Sequence, residues 1–594
     1  KTAYEIRLSL VGSEMCIRDR GDIMRLSGDL ARDWVEKGEK NGWATASMDP
    51  FNLQGSWFQM VDSLLQKPEQ FTHAQFGLWR NYMTLWDNAL TRMTGGNATD
   101  IVENDPTDRR FRNEAWHRDA IFGFIRQSYL LTSKFLMQMV DQNSDALDDG
   151  AAKKLKFFTK AYVDALSPTN FAFTNPEVIQ TTIEQGGENL VRGMRNLLED
   201  IKRGRMRMTD ESKFKLGENI ATTPGQVIFR NRLMEIIHYA PAGEHTHQTP
   251  LLIVPPWINK YYILDLREDN SFVKWALEQG HAVFMVSWVN PDASLKDVSF
   301  EDYMKDGILA ALGAVEKQAG QKQTNVIGYC IGGTLLSITL AWLAANGQES
   351  RVKSATFLTT LLDFADAGDL KLFVDEEQLA VMRTRMAAQG FLDAESLKTT
   401  FNLLRANDLI WSFVINNYLM GREPFPFDLL YWNSDSTNMP AKMHEYYLRH
   451  MYLKNELVKP CALKFDGVEI DLSTIETPAY FLSTREDHIA PWKATYAGSK
   501  LLGGPVTFTL AGSGHIAGVV NAPAANKYGY WTNKAGGSAN TWVEEAKQET
   551  GSWWPHWAEW VKQYAGIQVA AIDPAKGTLK PLCPAPGEYV QKKP

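Results

Sequence analysis

The sequence predicts an α/β fold for the larger, C-terminal part of the chain. Three observations indicate this fold: short apolar runs alternate with helical segments, one run leads into a glycine-rich turn, and a mainly helical stretch comes first. Strands that alternate with helices form a mostly parallel sheet, because each helix carries the chain back across the sheet. We therefore expect a parallel sheet covered by helices, preceded by a helical domain.

Six apolar runs have the length and composition of buried strands. They lie at residues 251–254, 282–288, 325–329, 355–362, 479–483 and 506–510. About 115 residues separate the fourth run from the fifth, whereas a crossover needs roughly 12 to 30. This gap predicts an inserted cap domain at about 366–455, and its many aromatic residues suit the covering of an active site.

Residues 21–205 are predicted to form the helical domain, and residues 206–594 the catalytic domain that contains the cap. Apolar residues such as Trp79, Met83 and Trp86 recur at spacings of three and four, which is typical of a core-facing or partner-facing helix. Residues 1–20 lack the apolar core and cleavage site of a signal peptide. They resemble translated sequencing-adaptor sequence, so we expect the fold to begin after them.

The composition excludes several classes of protein. A hydrophobic share of 44% with 22% charged residues is that of a globular protein, and a net charge of −8 gives no basis for nucleic-acid binding. The four cysteines lie far apart without a C-x-x-C pair, so neither a disulfide framework nor a zinc site is indicated, and a reducing cytoplasm is expected. The most apolar stretch, 331–345, is shorter than the ~20 residues of a transmembrane helix.

The strand at 325–329 runs into Gly328-Tyr-Cys330-Ile-Gly332-Gly333, the pattern of a nucleophile elbow with cysteine in place of serine. Flanking glycines let the strained turn fold back, which pushes the nucleophile clear of the sheet. The helix that follows can stabilise a thiolate, the reactive form of cysteine. Taken alone, the pattern also fits a buried structural cysteine; its setting between strand and helix favours catalysis.

A cysteine nucleophile needs a base, and the base needs a carboxylate to orient it. Asp487 and His515 follow the last two predicted strands, so both reach the carboxyl edge of the sheet. The order Cys330, Asp487, His515 is that of α/β-hydrolases. Glu486 and His488 are the competing residues; Asp487 and His515 are favoured because adjacent side chains point apart and the histidine should come from the next strand end.

Two backbone N–H groups are candidates for stabilising an oxyanion. One belongs to Ile331, directly after the nucleophile, and the other comes from the loop after the 251–254 strand, where hydrolases place their second donor. That loop begins with Pro255 and Pro256, which have no N–H. Ile258 is therefore the second candidate.

These residues lie within longer motifs, and together the motifs resemble those of the class I polyhydroxyalkanoate synthases, over nearly all of the chain after residue 20. The motifs are PPWINKYYILDL at 255–266, SWVNPDAS at 287–294, GYCIGG at 328–333, TTLLDFAD at 359–366, FDLLYWNSDSTNMP at 427–440, YYLRHMYLKNEL at 446–457, REDHIAPW at 485–492, GHIAGVVN at 514–521 and GSWWPHW at 551–557. The departures are few. Trp257 stands where some relatives have cysteine, and residues 1–20 have no counterpart.

The resemblance implies an acyltransferase that polymerises (R)-3-hydroxyacyl-CoA, expected to be 3-hydroxybutyryl-CoA, through a Cys330 thioester with release of coenzyme A. It implies no metal and no cofactor beyond the coenzyme A of the substrate. It further implies a homodimer in the cytoplasm, at the surface of polyester granules, with no nucleic-acid partner. Residues expected near the pocket or supporting the catalytic groups are Trp257, Asn259, Tyr329, Trp432 and His488.

Two other functions stay open on the residues alone. An esterase, thioesterase or polymer depolymerase could use the same triad on the same fold. A protein that coats granules without catalysis could retain the fold, although the intact Cys330, Asp487 and His515 argue against that alternative.

Overall fold

The computed structural model describes residue 60 and residues 68–103, 105, 108–534 and 536–593, and the predicted adaptor-like segment 1–20 lies outside them. The described residues fall into two compact units. One unit lies within Lys1–Asp210 and Arg405–Phe425, and the other comprises Glu211–Leu404 and Pro426–Pro594. The segment Arg405–Phe425, which the sequence analysis placed within the cap, therefore belongs to the N-terminal unit.

The first unit is helical. Its α-helices are α1 Pro68–Met93, α2 Ala115–Arg118, α3 Ala120–Gln142, α4 Asp149–Ala165, α5 Pro176–Glu184 and α6 Glu188–Arg203. Side chains cap several of these helices at the N-terminus: Asp119 accepts N–H bonds at α3, Asp148 at α4 and Asn175 at α5. Such caps stabilise the termini, where backbone N–H groups have no partner within the helix.

The apolar stripe predicted on α1 is partly exposed in the structure, although Trp86 contacts Phe124 with ring centroids 4.7 Å apart. Trp79, Met83 and Trp86 are between 51% and 61% exposed, whereas Leu85 and Ala89 are buried. The buried face packs against α3, where the Tyr82 hydroxyl donates to Ser128 O at 3.1 Å. The spacing suggested either a core-facing or a partner-facing helix. Only the residues of α1 that pack against α3 belong to the core.

The segment Arg405–Phe425 contains two π-helical stretches, Asn407–Trp411 and Val414–Leu419, and the second packs against α6. Asn189 and Asn196 donate side-chain N–H bonds to backbone carbonyls of this segment at 2.9 and 3.1 Å. At Gly193 a Cβ would lie 1.7 Å from Tyr418 O, so glycine permits the close approach. Main-chain packing of this kind leaves no periodic signal in the sequence.

The second unit is built on an eleven-stranded sheet with the order β15-β14-β13-β12-β7-β6-β4-β5-β2-β1-β17. The strands of the chain are β1 Gly225–Arg230, β2 Met234–Tyr239, β3 His245–His247, β4 Leu251–Val254, β5 Val283–Trp288, β6 Thr324–Tyr329, β7 Val352–Leu358, β8 Phe391–Leu392, β9 Met439–Pro440, β10 Leu463–Phe465, β11 Val468–Ile470, β12 Ala479–Thr484, β13 Val506–Ala511, β14 Gly529–Thr532, β15 Lys547–Thr550, β16 Gln568–Ala570 and β17 Cys583–Pro584.

The six predicted strands form the continuous parallel centre of this sheet, from β13 to β5. The predicted α/β-hydrolase class is thus confirmed. β7 ends at Leu358 rather than at residue 362, because Thr359 adopts a positive φ of 41° that turns the chain out of the sheet. The antiparallel edges, β1, β2 and β17 on one side and β14 and β15 on the other, were not predicted.

The second unit also contains helices, several of which pack against the sheet. Its described α-helices are α7 Phe272–Glu278, α8 Phe300–Asp302, α9 Ala310–Ala319, α10 Ile331–Ala345, α11 Glu376–Gln389, α12 Ala394–Leu404, α13 Asp428–Ser434, α14 Ala441–Tyr447, α15 Trp492–Ser499, α16 Ala539–Glu544 and α17 Trp554–Lys562. Helix α10 is buried along nearly its whole length. Two large apolar clusters fill the space between sheet and helices. Among the described helices none is both long enough and apolar enough to cross a membrane.

The turn from β6 into α10 depends on three close approaches of backbone. A Cβ on Gly328 would lie 2.5 Å from Gly333 Cα, and a Cβ on Gly332 would lie 2.4 Å from Val254 O. On Gly333 it would lie 2.1 Å from Thr360 Oγ1. The glycines therefore let α10 start directly above the ends of β6 and β4.

We predict that Gly332→Ala lowers the free energy of unfolding by about 1–3 kcal/mol, because the added methyl group overpacks against backbone atoms that cannot move aside. The matched control is Gly313→Ala in α9, where a Cβ meets no atom within 4 Å. That change should raise stability by up to about 1 kcal/mol through helix propensity. Urea denaturation of both variants checks the prediction, and equal stabilities would contradict it.

A second prediction concerns acid stability. Burial lowers the pKa of His281 to about 3 and that of His444 to about 4. In the unfolded chain both titrate near 6.5, so the unfolded state binds more protons below that pH and is favoured as the pH falls. The stabilisation from a neutral His444 is complete above pH 6.5 and declines toward pH 4. At pH 5 we expect the loss from this residue to be about 2 kcal/mol.

The measurement is the free energy of unfolding at pH 7 and pH 5 for the wild type and for His444→Gln. The variant should lose less stability over this interval than the wild type does. His245→Gln, a change of an exposed histidine, is the control and should keep the wild-type pH dependence. Parallel pH profiles for wild type and His444→Gln would refute the assignment.

Candidate active site

Cys330 lies in the turn between β6 and α10, with φ 52° and ψ −122°. Few non-glycine residues adopt a positive φ, and the strain is typical of functional turns. The Cys330 N–H donates to Leu358 O on β7 at 2.9 Å, and its carbonyl accepts from Gly333 N and Thr334 N. The sheet and the first turn of α10 thus fix both sides of the peptide unit, and the thiol is half-buried.

Asp487 lies in the loop after β12. One carboxylate oxygen accepts the N–H groups of Ile489 and Ala490, each at 2.8 Å, and the other accepts the Thr484 hydroxyl at 3.3 Å. The neighbouring Glu486 is exposed, and its backbone N–H donates to Ser513 O. The loop thereby turns Asp487 inward and Glu486 toward solvent.

His515 follows β13, and its Nδ1 lies 2.7 Å from Asp487 Oδ2. Its backbone carbonyl accepts the Tyr329 hydroxyl at 3.2 Å, which fixes the loop that carries it. His515 is 6% exposed, and the Asp487 carboxylate is fully buried. Because Nδ1 faces the carboxylate, Nε2 is the ring nitrogen left to hydrogen-bond the Cys330 thiol.

The charges at this site control the proton on His515. Burial by itself lowers the pKa of His515, but the charges of Asp487 and Cys330, and hydrogen bonds to both, raise it to about 10. A raised pKa means that the imidazolium form is stabilised beside these groups. His515 can therefore hold a proton at neutral pH.

The two N–H groups expected to stabilise an oxyanion lie on neighbouring pieces of backbone. Ile331 begins α10, and the close contact of Gly332 with Val254 O brings the loop after β4 against the same turn. Within the described part of the chain, neither the Ile331 N–H nor the Ile258 N–H donates to a protein acceptor. Unpaired N–H groups at such a turn are suited to bind a developing negative charge.

Two of the aromatic residues expected near the pocket are buried in the protein interior. Trp257 packs against Trp288 and Tyr303, with ring centroids 5.4 and 4.5 Å apart. Tyr329 is also fully buried, and its hydroxyl is bound to the histidine loop. Both side chains therefore support neighbouring loops.

Of the other three residues expected near the pocket, Asn259 and His488 are partly exposed, whereas Trp432 is buried in α13. Asn259 donates to Ser436 Oγ at 3.2 Å, and Trp432 Nε1 donates to Lys260 O at 2.7 Å. His488 is partly exposed, in the loop directly after Asp487. Of the five residues, Asn259 and Trp432 join the loop after β4 to the second part of the predicted cap.

Two tyrosines near Cys330 were not predicted from the sequence. Tyr447 ends α14 and Tyr452 lies in the π-helical stretch Leu448–Leu453, and both side chains are buried. Burial raises the pKa of each hydroxyl, and the nearby charge of Cys330 raises it further. Both lie in the YYLRHMYLKNEL motif, but nothing in the sequence showed that they approach Cys330.

Two protein-family profiles match most of the chain. The profile of the poly-beta-hydroxybutyrate polymerase (PhaC) N-terminus matches residues 107–276, and that of the alpha/beta hydrolase fold matches residues 250–522. A poly(3-hydroxyalkanoate) polymerase of Methylorubrum extorquens is 45% identical over 93% of this chain and 95% of its own length. The PhaC polymerase subunit of Rhizobium meliloti is 47% identical over 95% and 93%, and that of Cupriavidus necator 41% over 95% and 94%.

A likeness of this extent covers nearly the whole chain. The chain belongs to the poly(3-hydroxyalkanoate) polymerase family.

Proposed function

We propose that this chain polymerises 3-hydroxyacyl-CoA into a polyester, with Cys330 as the nucleophile and His515 and Asp487 as its base and orienting carboxylate. The observation that carries the proposal is the placement of three groups. A cysteine held at a strained elbow lies close enough to a buried histidine to raise the pKa of its ring, and Nδ1 of that histidine lies 2.7 Å from a buried carboxylate.

In the first step His515 takes the proton of the Cys330 thiol, and the thiolate attacks the carbonyl carbon of the CoA thioester. The oxyanion forms beside the N–H groups of Ile331 and Ile258. The carbon–sulfur bond to coenzyme A then breaks, and the leaving thiolate takes the proton from His515. One thioester replaces another at nearly equal energy, so the acyl group stays activated.

In the second step the 3-hydroxyl group of an incoming monomer or chain reacts with the Cys330 thioester. His515 takes the hydroxyl proton, the oxygen attacks the carbonyl of the Cys330 thioester, and the cysteine sulfur leaves. The product is an ester, which is more stable than the thioester, so this step drives chain growth. General-base assistance of this kind contributes about 10² to 10⁴-fold to the rate.

Water competes with the 3-hydroxyl at the same thioester. The burial of His515 and Asp487, with Tyr447 and Tyr452 near the nucleophile, supports a site from which bulk water is largely kept. We further propose 3-hydroxybutyryl-CoA of R configuration as the monomer, a homodimer as the active form, and polyester granules in the cytoplasm as its location. These three assignments rest on the family likeness.

We predict that Cys330→Ala abolishes both coenzyme A release and polymer formation, because no acyl-enzyme can form. Purified protein is incubated with 3-hydroxybutyryl-CoA while thioester loss is followed and the product is sized. Cys461→Ser, a change of an exposed cysteine, is the control and should keep wild-type turnover.

The product distinguishes the alternatives. High-mass polyester with coenzyme A release supports the proposal. Free 3-hydroxybutyrate from the wild type would instead make the chain a thioesterase, and polymer binding without turnover would make it a coat protein. Unchanged turnover in Cys330→Ala would remove Cys330 from the mechanism.

We also predict that Asp487→Asn lowers kcat by about 10² to 10⁴-fold, since the imidazole loses the carboxylate that orients and charges it. Some acyl-enzyme should still form, while elongation slows. Glu486→Gln changes the adjacent, exposed carboxylate in the same way and should leave kcat within about twofold. An Asp487→Asn enzyme with full turnover would be incompatible with the assigned role.

A further inference from the structure

Lys260 is a buried cation two residues beyond Ile258. It is 4% exposed, and its ammonium group lies 2.9 Å from Asp435 Oδ1. It also donates to the backbone carbonyls of Val590 and Lys592, at 2.6 and 3.0 Å. The ammonium group thus makes two hydrogen bonds to backbone carbonyls and one close ion pair. A buried charge with three such contacts favours one geometry of its partners.

The loop after β4 is bound on its other side by residues 432–438, which we call the cap strap. Trp432 Nε1 donates to Lys260 O at 2.7 Å, and the Thr437 hydroxyl and N–H donate to Ile258 O at 3.0 and 3.1 Å. Asp435, the partner of Lys260, also accepts the Tyr262 hydroxyl at 2.9 Å. The strap thus binds both ends of the stretch that carries the Ile258 N–H.

The C-terminal tail, residues 588–592, is itself fixed to the sheet. Glu235 on β2 is fully buried and accepts the N–H groups of Glu588 and Tyr589 at 3.0 and 3.1 Å. Just upstream, β17 pairs with β1. The tail therefore presents the carbonyls of Val590 and Lys592 to Lys260 from a fixed position.

We propose that Lys260 is a positioning residue, which joins the C-terminal tail and the cap strap to the loop after β4 and so sets the place of the Ile258 N–H in the oxyanion hole. This inference rests on the proposed function, because it assigns a purpose to the oxyanion donor named there. Removal of one oxyanion donor costs about 10² to 10³-fold in kcat in a well-studied protease, and misplacement of a donor costs less. Loss of this positioning should lower kcat and leave KM nearly unchanged, since the charge on the oxygen develops only in the transition state.

The test compares two reactions of Cys330 in the full chain. Acyl transfer from 3-hydroxybutyryl-CoA passes through an oxyanion, whereas alkylation of the thiol by iodoacetamide does not. For Lys260→Met we expect kcat to fall about 10- to 100-fold, KM to stay within threefold and the alkylation rate to stay within twofold. Loss of a residue with only a structural role would change the rates of acyl transfer and of alkylation in parallel.

Thr437→Val is the milder second variant, because it keeps the volume and the backbone N–H while removing the hydroxyl bonds to the loop. It should show the same separation with a smaller fall in kcat. Val315→Ala in α9, a change in the buried core, is the control for general destabilisation and should leave both rates unchanged below its melting temperature.

A wild-type kcat in both Lys260→Met and Thr437→Val overturns the inference, as does a parallel fall of acyl transfer and alkylation in Thr437→Val. If Lys260→Met fails to fold, the separation measured in Thr437→Val decides. A wild-type chain that alkylates at Cys330 but transfers no acyl group overturns the proposed function itself, and this inference with it.

Discussion

The positive φ of Cys330 is the constraint on which the rest of the site depends. Holding a non-glycine residue in that conformation costs on the order of 1–3 kcal/mol, and the surrounding structure must repay it. Here β7 accepts the Cys330 N–H, and α10 begins where three glycines let backbone meet backbone. The same turn sets the start of α10, the direction of the thiol and the distance to the loop after β4. A change in any of these shifts the Cys330 thiol relative to the proposed oxyanion donors, the N–H groups of Ile331 and Ile258.

The triad then depends on burial. In water, the attraction between an imidazolium and a carboxylate is weak, but at the edge of this sheet both groups are almost completely withdrawn from solvent. Desolvation by itself would lower the pKa of His515, and the neighbouring charges raise it instead. In the proposed mechanism a cysteine suits this setting, because its thioester would keep the acyl group activated until a hydroxyl arrives. The competing reaction with water explains why such a site should be covered.

The segment predicted to form the cap divides between the two units. Arg405–Phe425 packs within the helical unit, whereas the cap strap and the tyrosines at 447 and 452 belong to the catalytic unit. The strap and the C-terminal tail meet at Lys260, which lies 330 residues from Val590 along the sequence. The cap strap and the C-terminal tail are therefore bonded to the same loop, next to a proposed oxyanion donor. Lys260 gives this largely buried loop a charged attachment.

The sequence by itself determined the features that are encoded locally. The six central strands, the elbow at Cys330 and the order of nucleophile, acid and histidine follow from apolar runs, glycines and strand ends. The choice between Glu486 and Asp487 was argued from alternation, but it is the hydrogen bonds of the loop that turn Asp487 inward. The edge strands were not predictable from their short, partly polar sequences, which gain their pairing only from the neighbouring strand. The placement of Arg405–Phe425, the two tyrosines near Cys330 and the network of Lys260 were decided by the tertiary structure alone. These contacts join residues far apart in sequence, and their energy comes from burying charges and backbone groups together, which no local pattern records.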